Sequence, residues 1–146
     1  MKKFKFTLEK LNDLKLSRHK ELKNSMQNVD KQIEYINDAL LRLDDAVQSE
    51  RAKMTEDCRT GTYSDRLQMY DAFFCSAASK RKTMAEQKSE LQKQKRVLLD
   101  QLIRNQNEMN TLSDKRTGQF QEYCAQIQAQ EEIELENFLS HKICTM

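Results

Sequence analysis

The sequence predicts an all-α protein: an antiparallel two-helix coiled-coil hairpin with a longer, overhanging C-terminal helix. Two heptad runs, a single turn signal between them and a near absence of helix breakers predict it. Met26, Val29, Ile33, Ile36, Leu40, Leu43, Val47 and Met54 step by 3, 4, 3, 4, 3, 4 and 7. Leu67, Tyr70, Phe74, Ala77, Met84, Leu91, Leu98, Leu102, Met109 and Leu112 fall on a second set of a and d positions. Apolar residues spaced by about 3.5 make one seam along a helix, and such a seam buries itself against another helix. Among 146 residues there are two Gly and no Pro, and 33% of the chain is charged. That balance favours long helices over a compact globule.

The whole chain, residues 1–146, reads as a single hairpin. Its first helix is expected over about 7–57. The Thr7 hydroxyl is placed to cap, Glu9 suits the positive end of the helix dipole, and Phe6 with Leu11 has the spacing of a hydrophobic staple. Residues 58–64 form the expected turn, where Gly61 can take a positive φ after a helix. Asp65 and Gln68 then make a capping-box pattern that opens a second helix over about 65–139. Helices joined this closely lie antiparallel. Gly118 is the second helix's weak point, and it reads as tolerated rather than as a hinge.

In an antiparallel pair an a position faces a d position, so facing residue numbers share a constant sum. With 124 as that sum the layers are Met54/Tyr70, Val47/Ala77, Leu40/Met84, Ile33/Leu91, Met26/Leu98 and Leu22/Leu102. Leu43/Arg81, Ile36/Lys88 and Val29/Lys95 are mixed layers, in which basic stems cover the aliphatic partner while their heads reach water. His19/Asn105 is a polar layer of the kind that fixes register at a cost in stability. Before Leu22 the leucines at 8, 11 and 14 drift off the frame, which predicts a stutter.

From about Cys124 onward the second helix has no mate in this register. The overhang is about 33 Å long at about 1.5 Å per residue. It carries Ile127, Ile133, Leu135, Phe138, Leu139 and Ile143, and an exposed apolar stripe marks a partner site, a self-association face or a frayed tail. Residues 1–24 hold eight basic against three acidic side chains, net +5, and residues 119–146 hold one against five, net −4. Beside the turn, Tyr63, Tyr70, Phe73 and Phe74 cluster. Tyr70 and Phe74 lie on the seam, whereas Phe73 lies off it.

Several classes of function are disfavoured. A formal charge of +2 gives no electrostatic case for nucleic acid. No apolar run approaches the roughly 20 residues of a membrane span or makes a signal h-region, so a cytoplasmic protein without direct membrane insertion is expected. No phosphate-binding glycine loop or ordered nucleophile–base set is present, so no enzyme, cofactor or metal is expected. Cys58, Cys75, Cys124 and Cys144 leave open a disulfide set, a metal site or thiols, and irregular spacing favours free thiols. His141 and Cys144 form an i, i+3 pair, and two ligands do not make a site.

Three segments resemble the FliJ family of flagellar type III export. The opening Phe4-Lys5-Phe6-Thr7-Leu8-Glu9-Lys10-Leu11 resembles that family's F-x-F-x-L-x-K-[VL] start. Gly61, Ser64, Leu67, Tyr70 and Phe73 resemble its glycine turn with an aromatic two turns later. Gln130 to Phe138 resembles its acidic, apolar-spaced end. The four cysteines and Lys80, which interrupts the apolar face after the turn, depart from it.

The resemblance implies a monomeric stalk of the export apparatus, associated with the cytoplasmic face of the membrane and acting in flagellum biogenesis and motility. It implies three partners: a FliI-like export ATPase ring, a FlhA-like export gate protein and export chaperones. On this reading Phe4, Phe6, Ile127, Ile133, Leu135 and Phe138 meet the ring, and Tyr70 and Phe73 meet the gate. The alternatives are a coiled-coil scaffold that dimerises through its overhang, or the equivalent stalk of a virulence type III secretion system.

Overall fold

The computed structural model describes residues 3–145. It is an all-α hairpin of two long antiparallel helices, α1 (Glu9–Thr60) and α2 (Ser64–Cys144), with no strand among the described residues. The chain divides into two compact units, Leu22–Gln101 and Met1–Glu21 with Leu102–Met146.

The unit Leu22–Gln101 contains the turn, which is shorter than the sequence suggests. α1 continues to Thr60, whose hydroxyl donates back to the Glu56 carbonyl at 3.1 Å. Gly61 follows with a φ of 92°, which costs a glycine little and an L side chain much. The Tyr63 carbonyl then accepts from the amides of Arg66 and Leu67 at 3.2 and 3.4 Å, opening α2 one residue earlier than expected.

In this unit the seam follows the predicted frame. Leu22, Val29 and Ile36 on α1 and Tyr70 and Ala77 on α2 are buried, and the remaining a and d apolar residues from Met26 to Met54 and from Phe74 to Leu98 are half-buried, but Leu67, expected on the seam in the first turn of α2, is exposed. The mixed layers behave as long stems should. Lys95 Nζ reaches Asp30 at 2.7 Å and Arg81 Nη1 reaches Asp44 at 2.7 Å. Each of these acids directly follows the aliphatic residue, Val29 or Leu43, that the register sets opposite the base. Such exposed pairs contribute at most about 1 kcal/mol, so apolar burial holds the helices together.

The unit made of the chain's two terminal segments corrects the expected stutter. Steps of 3 and 4 continue unbroken through Leu8, Asn12, Lys15 and His19, which are half-buried, while Leu11, Leu14 and Leu16 are exposed. α1 is one uninterrupted helix, so its frame carries down past Leu22 whatever residues occupy it. Facing this polar strip on α2 are Asn105 and Leu112, both buried, and the half-buried Leu102 and Met109. Asn105 donates from Nδ2 to the Lys15 carbonyl at 3.0 Å, so its partner is the α1 backbone. The His19 ring, expected as its mate, keeps a buried Nδ1 without a hydrogen-bond partner. Lys15 also pairs with Glu108 across the helices.

α1 opens at Glu9 rather than Thr7 because Thr7 is engaged elsewhere. Gln119 Nε2 donates to its hydroxyl at 2.9 Å, and the Thr7 amide reaches Gln119 Oε1 at 3.4 Å. The expected staple is likewise half made, with Phe6 buried and Leu11 40% exposed. α2 passes straight through Gly118, and a Cβ built there meets nothing within 4 Å.

Candidate partner-binding surfaces

Where the two terminal segments meet, an aromatic cluster closes the pairing. The Phe4 ring packs edge-on to Phe120 at 5.2 Å and lies 5.5 Å from Tyr123. Rings at such separations favour edge-to-face geometry, which places the positive rim of one on the negative face of another. Phe6 beside them is 7% exposed, so this residue, expected at a partner surface, is core and acts by holding the segment in place.

Beyond Tyr123, α2 goes on without α1. Ile127 is half-buried, and every described residue from 128 to 145 is exposed. Leu135, Phe138 and Ile143 are 59%, 63% and 71% exposed and share one apolar face, which no other described segment covers, whereas Ile133, 56% exposed, falls on the other side of the helix and is not brought together with them. The helix persists to Cys144, five residues past the expected end. Glu131, Glu132, Glu134 and Glu136 surround this face, and none of them makes an ion pair among the described residues.

The turn offers a second surface, in the other unit. Tyr63 projects almost fully into solvent, and Met69 and Phe73 stand one helical turn apart, Met69 exposed and Phe73 half-buried against Phe74 at 5.7 Å. Tyr70, assigned to this surface from the resemblance, is buried instead. Its hydroxyl donates to Asp57 Oδ2 at 2.5 Å, and Arg66 Nε holds the same carboxylate at 3.2 Å. The hydrogen bond to Asp57, then burial, then the Asp57 charge keep the phenol protonated above its ordinary value of 10.0, with Arg66 opposing. Tyr70 is therefore a lock on the turn. Met69 was missed as a surface residue, although its i, i+4 spacing from Phe73 beside the seam was the available signal.

Leu11 and Leu14 lie off the heptad frame as expected and are exposed, whereas Leu8, expected off it, falls on the frame and is half-buried. A shallow apolar groove of about 540 Å³ lies in the unit Leu22–Gln101, lined by Tyr35, Ile36 and Leu91 among others. All four cysteines are free and exposed. Among the described residues no three His, Cys, Asp or Glu side chains gather as a metal site, and no helix is long and apolar enough to cross a membrane. No family model, curated protein or solved structure matches the chain.

Proposed function

We propose that the chain is a stalk of a flagellar type III export apparatus, engaging a hexameric export ATPase through the unmated end of α2 and an export gate protein through the turn. The observation that carries this reading is the continuation of α2 beyond its partner with Leu135, Phe138 and Ile143 exposed. A lone helix with an apolar stripe and an acidic surround suits insertion into a pore lined by side chains of opposite charge. The aromatic closure of Phe4, Phe120 and Tyr123 gives the spike a firm base, since ring packing fixes the direction in which a helix leaves its mate. Around the turn, Tyr63, Met69 and Phe73 supply the adaptable apolar contacts of a second docking site.

Capture of the cognate export ATPase by the intact chain, set beside a chain ending at Phe120, tests this reading. Loss of capture on truncation is expected. Equal capture by both would remove the overhang from the mechanism.

A further inference from the structure

Two faces in the unit formed by the terminal segments lack cover, and they are opposite in charge. On α1, Leu11, Leu14 and Arg18 follow i, i+3, i+7 spacing with Lys10 beside them, and Leu14 is 65% exposed. On α2, Leu135, Phe138 and Leu139 follow i, i+3, i+4 spacing among Glu131, Glu132 and Glu134. We propose that a second copy of this chain covers the overhang, laying the outer α1 face of residues 9–21 against it.

Its own α1 does not reach the overhang. Phe4 lies against Phe120 and Tyr123, and every described residue of α2 from 128 to 145 is exposed. Nor do two overhangs suit each other, because pairing them sets four glutamates against four, and like charges at close range repel. Residues 9–21 carry four basic against three acidic side chains, a net +1 opposite in sign to the overhang, with Arg18 already paired to Glu21 and Lys15 to Glu108. Among the described residues neither Lys10 nor the four glutamates make an ion pair within the chain.

A two-fold exchange satisfies both faces at once. Each copy donates its overhang and receives the other's, so the same contact is made twice. Leu11 and Leu14 then meet Leu135 and Phe138 as the apolar centre, with Lys10 and the glutamates at the rim. This association stands whether or not the export reading is right. If both hold, the dimer hides the face given to the ATPase, and the two occupancies exclude each other.

Sedimentation velocity of the full chain, across the micromolar range and at low and high salt, tests the dimer. A reversible dimer that weakens in high salt is expected. Leu14→Ser and, separately, Lys10→Glu should each weaken it at least about fivefold without loss of helix content. Mixing the Lys10→Glu chain with a Glu131→Lys/Glu134→Lys chain should restore association. A monomer at every concentration in low salt overturns the proposal. So does a dimer indifferent to both α1 substitutions, which would place the contact elsewhere. ATPase capture by the same variants distinguishes failure of this proposal from failure of the export reading, because a chain that stays monomeric can still be captured.

Discussion

Replacing Asn105 separates the energetic cost of the polar layer from its role in register. The side chain is 5% exposed on the α2 seam and makes a hydrogen bond of 3.0 Å to the Lys15 carbonyl. That carbonyl lies inside α1, so it keeps its intrahelical bond when the asparagine is gone. Asn105→Leu therefore loses about 1 kcal/mol of hydrogen bond and leaves no buried carbonyl unsatisfied. Burying a leucine in the same place contributes about 1.5–3 kcal/mol. The net expectation is a gain of about 1 kcal/mol. Asn105→Ala loses the bond and leaves a void, and is expected to cost about 1–2 kcal/mol. Urea unfolding followed by far-ultraviolet circular dichroism, on dilute protein, reads both. If the polar layer specifies register, the leucine variant should also show a lower m-value as slid pairings become populated. A leucine variant less stable than the parent would refute this reasoning.

Gly118→Ala should raise stability by about 1 kcal/mol in the same assay, because the helix is continuous there and the added methyl meets nothing within 4 Å. Leu22→Ala, which removes a side chain only 3% exposed, should cost about 2–5 kcal/mol, whereas Leu14→Ala should change stability by less than about 0.5 kcal/mol. Tyr70→Phe should lower the melting temperature by removing the bond to Asp57. Because folding raises the Tyr70 pKa, the stabilisation is complete below pH 10.0, the unfolded value, and is lost as pH rises through the folded one. Melting temperatures of parent and Tyr70→Phe chains should therefore converge in strong alkali, and a constant gap would contradict the lock.

The hairpin was legible because the heptad is a repeated signal. Each of Val29, Ile36, Tyr70 and Ala77 adds to one frame, and with no Pro and two Gly almost nothing interrupts it. The helix ends were less legible, since they depend on distant partners. Thr7 has the residue type of a cap, but its hydroxyl is taken by Gln119, 112 positions away. No local pattern reveals such a pairing. Tyr70 was correctly placed on the seam by its spacing, and the resemblance then drew it to the surface. Spacing was the better guide because it reports burial directly. The overhang was legible from unequal helix lengths, and its extension to Cys144 adds a turn to the surface it offers.

The N-terminal part of α1 went astray for a more instructive reason. The drifting leucines suggested a stutter that would bring Leu11 and Leu14 inward, and continuity of the helix keeps Asn12, Lys15 and His19 on the seam instead. Moving the leucines inward requires a break in the frame near Leu22, which sacrifices a well-buried layer. The cost of keeping the frame is that Leu14 is 65% exposed and Leu11 40%, so that each forgoes part of the about 1.5–3 kcal/mol that full burial contributes. Within the strip Asn105 gains a backbone carbonyl and Lys15 pairs with Glu108, while His19 Nδ1 gains no partner. Leu14, the more exposed of the two, contributes least to folding and is free to contribute to association. Leu14 is where the two roles come apart: its truncation should leave the unfolding midpoint in place and abolish most of the concentration dependence in sedimentation. If both changed together, Leu14 would belong to the core and the frame would be broken after all.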